Sequence, residues 1–298
     1  MTSLLKVEKH IPVMLAETLH YLEVKENGVY LDGTLGSGGH SRALLEHYPK
    51  IRIIAFDQDQ TAIKRCQEIP FFATKNIIFI NDNFANFSQH LARLNITHVD
   101  GFLFDLGLSS EQLNDVERGF SYRQNAPLDM RMSQQTKLTA QEIINDYSYQ
   151  ELADIFFNYG EEFRAKKITR RICQIREKEK IISTQQLVRI VASCFSHKGN
   201  KHPARRVFQA LRIAVNQELI NLSQVLEKSL QFLDTGGKIV VISYHSLEDR
   251  IVKQTFRKYS KFGSYQVITK KPLIPATEEI TNNHRARSAK MRVIACNK

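Results

Sequence analysis

Short apolar runs that end in polar turns alternate with stretches of helical spacing along the start of the chain. The first run, Val29-Tyr30-Leu31-Asp32, leads into a glycine-rich turn, Gly33-Thr34-Leu35-Gly36-Ser37-Gly38-Gly39-His40. Residues 41–48 then carry Ala43, Leu44 and Leu45 at helical spacing, so the segment predicts strand, tight turn, helix. The pattern recurs with a strand at 51–57 before a helix at 62–69. A strand at 77–80 precedes a helix through Phe87, Leu91 and Leu94, and a fourth strand covers 99–105. Strands alternating with helices predict a mostly parallel sheet covered on both faces.

The alternation stops after the fourth strand. Between residues 113 and 232 no strand pattern is found, and helical periodicities cover 142–147, 152–157, 164–176, 184–195 and 204–233. A strand returns at 238–244, opened by Gly236-Gly237, then a helix at 246–259 and closing strands at 265–269 and 292–296. The reading is an α/β domain formed by residues 1–112 and 213–298, interrupted by a helical insertion at 113–212. No apolar run approaches the length of a membrane-spanning helix, and residues 1–10 lack the apolar core of a signal peptide. The four cysteines form no Cys-x-x-Cys pair, which predicts a reduced, cytoplasmic protein without a disulfide framework.

Charge sharpens this picture. The net charge is +11, yet residues 164–212 hold fourteen Lys/Arg against two Asp/Glu, leaving the remainder at −1. A basic excess confined to the insertion is what a polyanion would meet, although a run of charge also suits a solvated helical face.

The glycine-rich turn lets backbone approach a ligand at a helix start. Its spacing matches neither the dinucleotide fingerprint nor the phosphate-binding loop. The second strand ends at Asp57, where an acid can accept from both hydroxyls of a ribose. Asp57 could instead cap the next helix, as could Asp59. Turn and acid together favour an adenosine-containing ligand, with NAD and S-adenosylmethionine both open. The fourth strand delivers Asp105-Leu106-Gly107-Leu108-Ser109-Ser110 to the same edge. An acid and a flexible turn there suit methyl transfer better than hydride transfer, which would call for a His or Tyr/Lys acid.

These segments carry a family resemblance over nearly the whole chain. They include His10-Ile11-Pro12-Val13-Met14, the turn at 32–41, the 105–110 segment with Gln112, and Arg118-Gly119-Phe120-Ser121. Leu128-Asp129-Met130-Arg131-Met132, Tyr159-Gly160-Glu161-Glu162, His202-Pro203-Ala204 and Phe208-Gln209-Ala210-Leu211-Arg212-Ile213 follow. His245-Ser246-Leu247-Glu248-Asp249-Arg250 and Arg285-Ala286-Arg287-Ser288-Ala289-Lys290 complete the set. The chain resembles the bacterial 16S ribosomal RNA (cytidine-N4)-methyltransferase family. It departs at Tyr244, where Phe is expected, and at His284, where Pro is usual; neither departure is expected to touch the cofactor site.

The resemblance implies a Rossmann-like S-adenosylmethionine-dependent methyltransferase sheet with an inserted helical, RNA-binding domain. It implies that the cofactor is held by Gly38, Gly39, His40, Asp57, Phe84, Asp105 and Gln112. The substrate would be 16S ribosomal RNA within the small subunit. On residue chemistry, candidates for contact with the cytosine are Ser109, Ser110, Asp129 and His245. Their ordinary roles would be turn capping for the serines, an ion pair of Asp129 with Arg131 or Arg250, and simple burial of His245. Cys194, His197 and His202 lack a defined fourth ligand, so no metal is expected. A noncatalytic RNA-binding or assembly protein is the alternative, as is a NAD-dependent oxidoreductase on the same fold.

Overall fold

The structure, a computed structural model, describes residues 12–196 and 202–297. The chain divides into two compact units. One runs to Gly107 and resumes at Asn221; the other is Leu108–Ile220.

The first unit is built on a seven-stranded sheet, β1 (Val29–Asp32), β2 (Arg52–Asp57), β3 (Ile77–Asn81), β4 (Val99–Asp105), β5 (Leu233–Ser243), β6 (Tyr265–Val267) and β7 (Lys290–Cys296). Its order is β3-β2-β1-β4-β5-β7-β6. The pairs among β1 to β5 are parallel, and β7 runs antiparallel between β5 and β6. Alternation within each strand sends successive side chains to opposite faces. Tyr30, Ile53, Ala55, Leu103, Val240 and Ile242 join one apolar core. Leu31, Ile54, Phe56, Phe102, Phe104, Ile239 and Val241 join the other. Both faces are thus buried, as a doubly covered parallel sheet requires.

Helices in chain order are α1 (Leu15–Leu22), α2 (Gly39–His47), α3 (Gln60–Gln67), α4 (Pro70–Ala73), α5 (Phe87–Arg93) and α6 (Ser110–Asn114). Next come α7 (Ala140–Asp146), α8 (Tyr149–Asn158), α9 (Ala165–Arg176), α10 (Thr184–Ala192), α11 (Arg205–Asn216) and α12 (Glu218–Phe232). The last two are α13 (Ser246–Ser260) and α14 (Thr277–Asn282). Among the described residues no strand lies between β4 and β5, and no helix is long and apolar enough to cross a membrane. The Leu108–Ile220 unit has its own core, in which Ile143, Leu152, Phe156, Ile168, Ile172, Leu187 and Leu211 are buried.

Two expectations need correction. The strand expected from residue 238 begins at Leu233. The Gly236-Gly237 turn is absorbed as an irregularity: Leu233 pairs with Val99 and Lys238 with Gly101, with Gly236 at φ 73° between them. The single helix expected over 204–233 is two helices, broken at Gln217, whose φ is 51°. Nothing in a Gln predicts that break, because Gln is a good helix former. The break is held from outside the local sequence. The Asn216 carboxamide accepts from Met132 N–H at 2.7 Å and donates to the Met130 and Arg212 carbonyls at 2.8 Å each. Arg212 forms a two-pronged ion pair with Glu218 at 2.8 Å, spanning the break.

Opposite effects are expected at these neighbouring positions. Asn216→Ala strands buried partners and should lower unfolding stability by about 2–3 kcal/mol. Gln217→Gly relieves the left-handed backbone and should raise it by about 1 kcal/mol. Urea denaturation of the two variants checks both signs.

Candidate functional site

β2, β1 and β4 are consecutive parallel strands, and they end in Asp57, Asp32 and Asp105. Three carboxylates therefore line one edge of the sheet, where open α/β folds place their ligands. Burial pushes each carboxyl up: Asp57 to about 6, Asp105 to about 7, and Asp32 in the same direction. Such an edge is short of positive charge and suits a cationic or hydroxyl-rich guest.

The same acids shape the turn before α2. Asp32 accepts the Ser41 hydroxyl at 2.6 Å and the Thr34 N–H at 3.1 Å. Asp57 accepts the Gly36 N–H through one oxygen and the Asp59 N–H through the other, both at 2.8 Å. The Thr34 hydroxyl accepts the Asp105 N–H at 2.6 Å. Asp59, not Asp57, caps α3, accepting from Thr61 N–H at 3.0 Å. The alternative role of Asp57 as a helix cap is thus taken by its neighbour.

The glycines leave no room for side chains. A Cβ on Gly33 would lie 2.5 Å from the Phe104 ring, and Gly38 adopts φ 76° with Cys66 and Phe72 at 3.0 Å from any added Cβ. No side chain caps the start of α2, so its first N–H groups remain available to a ligand acceptor. Phe84 opens a short 3₁₀ turn after β3 and packs edge-on against Phe104, with centroids 5.7 Å apart. His40 is buried in the first turn of α2. Its Nε2 lies 3.0 Å from the Val13 carbonyl, and its Nδ1 is 3.8 Å from Asp105. Burial lowers its pKa and favours the neutral ring.

Tyr244 is the residue that sequence reasoning placed away from this site. Its hydroxyl donates to Asp105 at 2.6 Å. The departure at 244 therefore does touch an expected cofactor residue. The signal was its place just past β5, the strand beside β4, but strand order is not readable from one sequence. His284 is exposed, at the start of a 3₁₀ turn.

His245 caps α13 in a reciprocal arrangement with Glu248. Its Nε2 is 3.1 Å from a Glu248 oxygen without hydrogen-bond alignment, and it has no other hydrogen-bond partner among the described residues. In the Leu108–Ile220 unit, Ser109 caps α6, and the Gln112 side-chain oxygen accepts the Ser109 N–H at 3.2 Å. Ser110 is the first residue of that helix. Asp129 forms a bidentate pair with Arg131 at 2.7 and 2.9 Å, one of the two pairings expected for it. The Cys194 thiol donates to the Ile190 carbonyl at 3.5 Å, and the His202 ring stacks on Tyr122 at 4.5 Å. His10, Ile11 and residues 197–201 lie outside the described residues.

The basic excess of this unit is only partly free. Arg176 donates to the Ile144 and Tyr147 carbonyls at the end of α7, and Arg212 is paired with Glu218. Lys166, Lys167, Arg170 and Arg171 are exposed along α9.

A family model described as the MraW methylase family matches residues 7–297. The chain belongs to this family. It is an S-adenosylmethionine-dependent ribosomal RNA methyltransferase, which leaves neither the oxidoreductase nor the noncatalytic alternative standing. Among solved structures, the chain is similar to an rRNA methylase from Streptococcus thermophilus. The match has 10% identity, covers 97% of this chain and 99% of that one, and gives a TM-score of 0.45. It is also similar to a methyltransferase-like protein from Streptococcus mutans in complex with SAH, at 12% identity, 96% and 99% coverage and a TM-score of 0.44.

The residues present fit the cofactor of this methyltransferase. Half-buried acids at the strand ends offer partners to its hydroxyl and ammonium groups, the uncapped helix start offers N–H donors to its carboxylate, and the glycines leave backbone exposed. Asp57→Ala should weaken cofactor binding by about 1.5–3 kcal/mol, the range for hydrogen bonds to a charged group. The variant should also melt earlier, because Gly36 and Asp59 lose their acceptor; calorimetric titration beside thermal melting reads both.

Raised carboxyl pKa values also set a pH dependence. An acid whose pKa is higher folded than unfolded adds stability below its unfolded value near 4, and that stability is lost as pH rises through the folded value. The ligand-free protein should therefore lose stability as pH rises from about 4 through about 7. A cationic cofactor favours the ionised acids, so its affinity should rise across pH 6 to 7. Tyr244→Phe removes a bond that favours ionised Asp105 and should move the upper midpoint to higher pH. Titrations at a series of pH values test this, and a midpoint unchanged by the substitution would contradict it.

Proposed function

We propose that this methyltransferase acts on the exocyclic N4 of a cytidine in 16S ribosomal RNA, within the small ribosomal subunit in the cytoplasm. The reading is carried by Asp105 at the end of β4, half-buried, bonded to Tyr244 and followed by the 106–110 turn. It is supported by the ordered motifs that run from the glycine turn to the last strand. When bound, S-adenosylmethionine supplies an electrophilic methyl group on a sulfonium.

The amino nitrogen of cytosine is a weak nucleophile, because its lone pair is delocalised into the ring. Transfer to it calls for alignment and for acceptors that orient its protons, more than for a strong base. In this reading the Gly38-Gly39 backbone meets the methionine moiety, with His40 supporting the turn. Asp57 accepts from the ribose hydroxyls, Phe84 lies against adenine, and Asp105 accepts from an amino or ammonium group. Gln112 completes the cofactor set. Ser109, Ser110, Asp129 and His245 are the proposed contacts to the base. Of these, His245 has an Nε2 beside Glu248 but without an aligned hydrogen bond, whereas Asp129 is engaged by Arg131. The nucleotide must be unpaired or drawn out of a helix to be reached, and the Leu108–Ile220 unit is proposed to hold its flanking phosphates.

Mass spectrometry of ribosomal RNA nucleosides tests the assignment. N4-methylated cytidine should disappear from 16S RNA in cells lacking the gene and return with the wild-type chain but not with Asp105→Ala. Its persistence in the deletion, or loss of a different modified nucleoside, would rule the assignment out. In RNA binding, Gln at positions 166, 167, 170 and 171 together should flatten the slope of log affinity against log salt by about 3, if four phosphate contacts to a single strand are lost. Cofactor affinity should stay unchanged.

A further inference from the structure

The most exposed large apolar side chain among the described residues is Phe163, at 83%. It lies between α8 and α9, on the unit that carries the charge excess. Two acids, Glu161 and Glu162, precede it, and a cation stands over it. The Arg206 guanidinium stands 5.6 Å from the ring centroid and 3.9 Å from the Glu162 carboxylate. Arg164 follows directly, and its own guanidinium lies 4.5 Å from the centre of Phe195. The Tyr149 hydroxyl donates to the Lys166 carbonyl at 3.2 Å, which fixes a second partly exposed ring beside the first turn of α9. Lys166 and Lys167, three and four residues further on, are exposed, as is Arg205, the neighbour of Arg206.

An exposed phenyl ring costs solubility and gains nothing for the core. Surfaces that dock proteins are depleted of Lys at their centres, whereas this ring has Arg206 over it and exposed Lys166 and Lys167 three and four residues further along the chain. Aromatic rings interleaved with cations are what an unpaired nucleic-acid strand meets: the ring stacks on a base, and the cations hold adjoining phosphates. Arg206 restrains the ring, lowering the cost of ordering it.

We propose that Phe163 is a stacking platform for an unpaired base of the RNA, with Lys166 and Lys167 on the adjoining phosphates. This inference rests on the RNA substrate proposed above. It adds a contact that reads the flat face of a base, independent of charge.

The test uses the full chain and a short single-stranded RNA carrying one 2-aminopurine, scanned through successive positions. At one position the wild-type protein should change the probe's fluorescence, and Phe163→Leu should abolish that change. Affinity should fall roughly fivefold to a hundredfold, the range for losing one stacked base. The fall should be the same at low and high salt, because no ion is released by stacking. Phe163→Trp should restore both signals. The double variant Lys166→Gln/Lys167→Gln should instead reduce the salt dependence. If Phe163→Leu binds within twofold of wild type while the lysine variant still alters the salt slope, the platform is refuted and the RNA reading stands. A loss that Trp does not restore, or a change in self-association with RNA affinity intact, refutes it as well. Wild-type protein that binds no RNA refutes the RNA reading itself.

Discussion

The stitching of one turn to three neighbouring strands is the constraint on which the site depends. Residues 33–38 contain four glycine or serine positions that favour no single conformation on their own. They are held because Asp32, Asp57 and the Asp105 backbone each bind a different part of the turn and its helix. Those bonds keep acids at the sheet edge even though burial opposes their ionisation. A site stitched in this way is sensitive in an unusual way: removing one of its acids also loosens the backbone around it.

Much of this was legible before any coordinates. The alternation of 29–32, 51–57, 77–80 and 99–105 with helical stretches marked the strands because apolar runs of that length, ended by turns, have few other uses. The glycine turn and Asp57 pointed to one edge for the same reason. What stayed hidden depends on spatial neighbours. Nothing local shows that Asp57 clamps Gly36, that β5 lies next to β4, or that Tyr244 therefore reaches Asp105. The break at Gln217 was illegible because it is imposed by Asn216 and its contacts to Met130 and Met132, more than eighty residues earlier.

Charge counting was informative and incomplete. It located the cationic unit, yet it could not separate Arg176 and Arg212, which are spent on carbonyls and a carboxylate, from the exposed row on α9. Nor does a hydrophobicity pattern distinguish Phe163, left in solvent, from Phe156, which is fully buried.

The sheet order has a consequence for synthesis. β7 inserts between β5 and β6, and β5 itself comes after the whole Leu108–Ile220 segment. As the chain emerges from the ribosome, β1 to β4 can pair early, but the β4 edge must wait for more than a hundred residues before its partner arrives. The intervening unit has a contiguous sequence and its own core, so it can compact during that delay. Shortening the chain from its end would then strip β7 from the middle of the half-sheet and leave β5 with a raw edge, a state prone to association.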